Sequence, residues 1–139
     1  MLVDGHIPIP LGEVEGSLSL KDCQSLTSLK NCPKKVLNAF FLVNCPNLSS
    51  LVGAPVEYVH GGFNCYNCDG IKNLVGLPSK IGCMNVAYCN GLESLEGCPE
   101  EIGTSISISD NPNLKSLKGG PKKVTFECNF RNNLSLESL

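Results

Sequence analysis

A segment of about 22 residues recurs six times along the chain, and this repetition constrains the fold more than any other feature. The string "LTSLKNCPKKV" at 26–36 returns as "LESLEGCPEEI" at 92–102 and as "LKSLKGGPKKV" at 114–124. A unit this short cannot bury its own apolar face, so successive units must stack on one another as a solenoid. The prolines that mark the unit are 21 to 23 residues apart: Pro33, Pro55, Pro78, Pro99 and Pro121.

Each unit also contains one predicted strand. Large apolar residues alternate with other residues at period two, which is the pattern of a β-strand. The alternating pairs are Leu18/Leu20, Phe40/Leu42, Phe63/Cys65, Met84/Val86, Ile106/Ile108 and Cys128/Phe130. We therefore expect parallel strands centred near 19, 41, 64, 85, 107 and 129, with a second short strand at the L-x-x-L segment of each unit. Fourteen glycines and nine prolines place a turn in every unit, and long helices are not expected.

Two further columns of residues repeat with the strands. An aliphatic column contains Val14, Val36, Val59, Ile81, Ile102 and Val124, and a column of cysteine or asparagine contains Cys23, Cys45, Cys68, Cys89, Asn111 and Asn133. A position that accepts Cys or Asn just after a strand predicts a small side chain turned inward to cap backbone groups at the bend. We predict a single domain over 1–139, with 1–10 as an N-terminal partial turn or cap and 11–139 as six repeats.

The repeat carries a family resemblance. The pattern L-x-L-x-x-N/C-x-x-L, present as "FFLVNCPNL" at 40–48 and "SISISDNPNL" at 105–114, is similar to the leucine-rich repeat. The tail L-x-S-L-x-G-x-P-x-x-V resembles the short-repeat subtype of tailed phages and bacteria. Over residues 7–139 the resemblance implies a mostly β solenoid of about six stacked turns, with a parallel sheet and little helix. Because this family mostly binds proteins, the resemblance also implies a protein-binding module. We expect this module to be non-enzymatic and, if a phage encodes it, to act on a host protein. The chain departs from the family in lacking an evident C-terminal cap.

Nine cysteines raise the question of metal or redox chemistry. Cys65 and Cys68 have the C-x-x-C spacing of zinc knuckles and thiol oxidoreductases. However, Cys65 lies in the strand-core column and Cys68 in the Cys/Asn column. Cys128 also lies in the strand-core column, and Cys83 alone falls on an outward column. We therefore predict structural thiols with no metal and no cofactor, and keep zinc binding and thiol redox chemistry as alternatives. An odd number of cysteines argues against a disulfide framework.

Charge and composition exclude several other classes. The formal net charge of −2 creates no strong attraction to nucleic acid or to an anionic membrane. The start "MLVDGHIPIPLGEVEG" lacks the basic residues and apolar run of a secretion signal, so we expect the cytoplasm, or the host cytoplasm for a phage-encoded chain. His6 and His60 occupy non-equivalent positions with no serine elbow beside them, so we do not expect an enzyme.

The outward residues of the strands form the candidate binding surface. The clustered residues are Phe41, Val43, Asn64, Tyr66, Asn85 and Tyr88. Exposed aromatic residues grouped in this way are typical of a protein-binding patch. A register shifted by one residue would instead turn Phe41 inward.

Two alternatives concern the partner. In the first, Asn64, Asn85 and Asn129 bind sugar hydroxyls while Tyr66 stacks on a sugar ring, as in a carbohydrate-binding or structural component of an extracellular appendage or virion. The second is a homodimer. Leu136 and Leu139 stand in repeat register at the end of the stack, where uncovered apolar residues favour contact with a second copy.

Overall fold

The computed structural model describes residue 2 and residues 4–55, 57 and 61–137. Val59, His60 and Leu139, which the sequence interpretation uses, lie outside the described residues. The eleven strands of the described chain are β1 Glu13–Val14, β2 Leu18–Lys21, β3 Lys35–Val36, β4 Ala39–Val43, β5 Gly62–Tyr66, β6 Lys80–Ile81, β7 Met84–Ala87, β8 Glu101–Ile102, β9 Ile106–Ser109, β10 Lys123–Val124 and β11 Cys128–Asn129. Within these residues, no helix has the length and apolar character needed to cross a bilayer.

The main sheet is parallel and contains one strand from each repeat. Its strand order is β11-β9-β7-β5-β4-β2, so each strand pairs with the equivalent strand of the next turn. Phe41 is paired with Asn64, Asn64 with Asn85, and Asn85 with Ser107. The predicted solenoid, its strand centres and its register are confirmed.

The core is formed by the columns that the repeat predicts. Leu42, Cys65, Val86 and Ile108 are fully buried on successive strands. In the neighbouring column, the rings of Phe40 and Phe63 pack at a centroid distance of 5.7 Å. An edge-on or tilted ring pair of this kind adds about 0.5 to 1.5 kcal/mol to the burial of the two side chains. The stack is therefore stabilised mainly between neighbouring turns.

Within the described residues, five of the six turns contain a second short strand, and it lies in a different place from the one predicted. The short strands β1, β3, β6, β8 and β10 each end at a residue of the aliphatic column, and they form sheets of two and three strands. The L-x-x-L segments that lie within the described chain are irregular, and a two-residue turn follows each of them. The Ser50 hydroxyl accepts a hydrogen bond from Val52 N at 3.1 Å, and Gly76 has a φ of 117°. A Cβ at Gly76 would overlap the carbonyl oxygen of Leu51 one turn below, so this position requires glycine. The second strand therefore lies after this turn and not before it.

The Cys/Asn column caps the bends, as predicted. Asn111 Nδ2 donates to the Val86 carbonyl at 3.2 Å, and Asn111 Oδ1 accepts from Cys89 N at 3.0 Å. In the cysteine turns the thiol supplies the donor, since Cys45 Sγ donates to the Leu20 carbonyl at 3.4 Å. Backbone groups that the bend removes from the sheet are thereby satisfied across turns.

One core assignment is wrong. Cys128, which the alternation placed in the strand core, is exposed, whereas its register partner Ile106 is fully buried. β11 forms the edge of the main sheet, so the described chain stacks on β11 from one side only. Cys128 is exposed because no further turn of the described chain covers β11 on its outer side.

Candidate functional site

The outward face of the main sheet brings the predicted site residues together on three neighbouring strands. Phe41 and Val43 lie on β4, Asn64 and Tyr66 on β5, and Asn85 on β7, with Tyr88 directly after β7. The register places Val43 beside Tyr66 and Asn64 beside Asn85. We call this set the strand face.

The two residues of β4 are only half exposed. Phe41 and Val43 have intermediate burial, and the Lys21 ammonium lies 5.7 Å from the centre of the Phe41 ring. A cation over an aromatic face within about 6 Å is an attractive contact. Phe41 therefore points outward, as the register predicts, but Lys21 covers part of its ring.

Asn64 and Asn85 form a polar pair beside Tyr66. Asn85 Nδ2 donates to Asn64 Oδ1 at 2.9 Å. Because each primary amide has two N–H donors and one oxygen acceptor, the pair retains further hydrogen-bonding capacity toward a ligand. Burial raises the pKa of the Tyr66 phenol, so Tyr66 stays a neutral hydroxyl group.

Tyr88 departs from its structural column. The residue that precedes each Cys/Asn position has a left-handed backbone, with φ between 53° and 57°, and is Asp or Asn in every turn except the fourth: Asp22, Asn44, Asn67, Tyr88, Asp110 and Asn132. Asp and Asn tolerate this conformation, whereas a bulky side chain is strained in it. Tyr88 nevertheless occupies it, with 54% of its surface exposed.

Tyr88 also interrupts a chain of side-chain hydrogen bonds in that column. Asn44 Nδ2 donates to Asp22 at 2.6 Å, and Asn67 Nδ2 donates to Asn44 at 3.0 Å. The pattern resumes after the fourth turn, where Asn132 Nδ2 donates to Asp110 at 2.9 Å. An asparagine at position 88 would fit both the backbone and this column.

A surface cavity of about 250 Å³ lies at this interruption. Ala87 and Ser109 point outward from neighbouring strands, yet they are only 6% and 7% exposed because larger side chains surround them. We call this cavity the tyrosine socket, and its lining residues are Tyr66, Asn85, Val86, Ala87, Tyr88, Ser107, Ser109, Asp110 and Arg131.

Sequence reasoning missed the contribution of Ser109, Asp110 and Arg131 to this site. Small residues at 87 and 109, between Tyr66 and Arg131 in one outward column, were a usable signal. A column of large, small, small and large outward residues predicts a depression one side chain wide. The volume of the tyrosine socket, about 250 Å³, lies below the range of about 300 to 1,000 Å³ that is typical of small-molecule pockets.

A larger cavity, of about 550 Å³, lies at the turns that follow the L-x-x-L segments. Ser94, Gly97, Ser116 and Gly119 are among its lining residues. The Ser116 hydroxyl already accepts a hydrogen bond from Lys118 N at 3.0 Å. The described residues that line this cavity include no aromatic side chain.

The buried thiols pack between neighbouring turns. Cys65 Sγ and Cys89 Sγ are 3.8 Å apart and both side chains are buried. Burial raises the pKa of Cys32 to about 11 and that of Cys98 to about 12, which keeps these thiols protonated and poorly nucleophilic. Among the residues that the structure describes, no group of three or more His, Cys, Asp or Glu side chains could hold a metal ion.

Comparison with known proteins adds no relative. No family model, curated protein or solved structure matches this chain. The fold and the strand face define the molecule as a repeat protein built on a parallel β-solenoid.

Proposed function

We propose that this solenoid is a non-enzymatic binding module of the leucine-rich-repeat type, and that its strand face binds a protein partner. The observation that carries the proposal is Tyr88, an exposed aromatic residue held in a left-handed backbone. Strained residues cluster at sites where their side chains are used. The equivalent position in all five remaining turns is Asp or Asn, which tolerates this backbone. A role other than stability therefore accounts for the tyrosine.

The setting of Tyr88 supports a protein partner. Tyr66, Phe41 and Val43 extend the surface from the tyrosine socket across β5 and β4. These side chains stand on a sheet whose neighbours fix their positions, so they lose little conformational entropy when a partner binds. Tyrosine and other aromatic residues supply much of the affinity at such interfaces. Following the resemblance of the tail motif to phage repeats, the partner would be a host protein met in the cytoplasm.

The experiment is capture of a partner by purified wild-type protein and by variants. Phe41→Ala and Tyr66→Ala should each weaken capture at least about tenfold while the melting temperature stays near that of wild type. Phe126→Ala is the matched control, because Phe126 is 78% exposed and does not line the socket. Equal capture by all four proteins would contradict the proposal.

Carbohydrate binding is the second candidate, and the Asn64–Asn85 amide pair beside Tyr66 favours it. Amides that hydrogen-bond hydroxyls next to an aromatic ring are a suitable arrangement for a sugar. A glycan array probed with wild-type protein tests this candidate. Glycan binding that is lost in Asn85→Ala, together with no protein captured, would replace the first proposal.

A further inference from the structure

We propose that the tyrosine socket binds a carboxylate side chain, an Asp or Glu, that the protein partner inserts as an anchor. This inference rests on the proposed function, because it names the chemistry of the partner at the strand face. It assigns to Arg131 the role of the residue that selects the anchor.

The socket has the shape of a site for one side chain. Its floor is the Ala87 methyl group and the Ser109 side chain, both nearly buried. The two tyrosines, Tyr66 and Tyr88, stand among its walls. Aromatic walls pack well against the methylene groups of an acidic side chain, while a hydroxyl on the floor can donate a hydrogen bond to its carboxylate.

Arg131 supplies the positive charge. It is exposed, and it follows Ser109 in the outward column of the next turn, since its backbone carbonyl accepts a hydrogen bond from Asp110 N. The ion pairs among the described residues are Lys80–Glu101 and Lys122–Glu100, so the Arg131 guanidinium is not engaged by a carboxylate of the described chain. A guanidinium presents paired N–H donors that match a carboxylate in two parallel hydrogen bonds.

The socket also contains one acidic residue, Asp110, so an acidic anchor has to be weighed against a basic one. Asp110 Oδ1 already accepts the Asn132 amide at 2.9 Å, and Asp110 lies in the left-handed column beside Tyr88. Arg131 lies instead in the column of Ala87 and Ser109, which forms the floor. Arg131 lines the same cavity and its guanidinium is engaged by no carboxylate of the described chain, and this favours the acidic anchor.

The test uses a displayed library of random peptides, selected on wild-type protein, with the affinity of the selected synthetic peptides measured by fluorescence anisotropy. We expect the selected peptides to share an Asp or Glu beside apolar residues. Arg131→Gln should weaken their binding about tenfold or more, which is the size expected for loss of a charged hydrogen-bond partner. Rising salt should weaken binding to wild type more than binding to Arg131→Gln.

Two further variants sharpen the result. Arg131→Glu, selected in the same way, should yield peptides with Lys or Arg in place of the acid. Lys118→Gln removes an exposed lysine at the turns and should bind the original peptides as wild type does. Melting curves of both variants near that of wild type would show that each one is folded.

The outcomes separate the anchor from the proposed function. Peptides without a shared acid, peptides that bind Arg131→Gln as tightly as wild type, or a library with no binder would overturn the anchor. If those peptides still lost binding to Tyr66→Ala, the strand face would stand without the anchor. Peptides whose affinity does not change when Arg131, Tyr66 or Phe41 is replaced would overturn both the anchor and the proposed function.

Discussion

At the scale of single residues, the backbone strain at Tyr88 should lower stability while its side chain contributes to partner binding, and both effects can be measured. Replacing it by Asn puts a residue that tolerates φ near 56° between Asn67 and Asp110. We expect Tyr88→Asn to raise the free energy of unfolding by about 1 kcal/mol, because a left-handed backbone costs roughly 1 to 2 kcal/mol for an ordinary side chain. Urea unfolding measures this, and partner capture should weaken in the same variant.

Tyr66→Asn serves as the control for that prediction. Tyr66 lies within β5, where asparagine is disfavoured and no left-handed backbone is relieved. We expect this variant to lose binding with no gain in stability. If Tyr88→Asn were less stable than wild type, the strain at Tyr88 would not be the reason that its column is otherwise Asp or Asn.

Cys98 gives a residue-scale prediction for pH. Burial raises its pKa to about 12, so the folded state holds the thiol proton above pH 9, where the unfolded chain releases it. Stability from this group is therefore complete below pH 9 and is lost as the pH rises toward 12. Urea midpoints measured at pH 7.5 and pH 10 should differ more for wild type than for Cys98→Ala. If the midpoint changed by the same amount between the two pH values in wild type and in Cys98→Ala, this thiol would not make folding depend on pH.

At the scale of structural elements, the bends depend on the Cys/Asn column. Asn111 is fully buried and satisfies the Val86 carbonyl and the Cys89 N–H of the preceding turn. Asn111→Ala leaves both groups unpaired, and each buried unpaired group costs about 1 to 3 kcal/mol. We expect a loss of about 2 to 5 kcal/mol in the free energy of unfolding, measured by urea denaturation.

Asn111→Cys is the matched variant, because cysteine fills the same position in four other turns. Its thiol keeps a donor toward the carbonyl, as Cys45 does toward Leu20, and it should cost less than the alanine variant. Equal losses in the two variants would mean that side-chain volume, rather than capping, stabilises the bend.

At the scale of the whole molecule, the repeat predicted most of the fold. A column shared by six turns fixes both the direction of each side chain and the pairing of each strand, so strand centres and register followed from the sequence. The column of Cys and Asn also predicted capping, since only a small residue with a hydrogen-bond donor suits it. The short strands were misplaced because the L-x-S-L-x-G turn, with its Ser50 hydrogen bond and Gly76, was interpreted as a possible strand.

The candidate site was only partly predictable for a different reason. A position shared by all repeats shows which way its side chain points, but side chains at other repeat positions decide how much of its surface is exposed. Ala87 and Ser109 point outward and are buried by larger side chains around them, whereas Cys128 points inward and is exposed at the sheet edge. The tyrosine socket and Arg131 emerge only when several columns are considered together.

The predicted homodimer belongs to this scale and remains a prediction. Leu136 is half-buried, and Leu134, on the same final turn, is 85% exposed. Leu139 lies outside the described residues. Contact with a second copy would cover Leu134 and the edge strand β11, leaving the strand face to a different partner.

Photo-crosslinking from defined positions tests the central claim, that a partner binds the strand face, most directly. A benzophenone side chain placed at 88, 52, 126 or 134 samples four parts of the surface. These are the strand face, a turn after an L-x-x-L segment, the bend before β11 and the final turn, and all four native residues are exposed. We predict that the captured partner crosslinks at 88 and not at 52 or 126, and that a crosslink at 134, if formed, joins two copies of this chain. A partner that crosslinks at 52 or 126 and not at 88 would contradict the account.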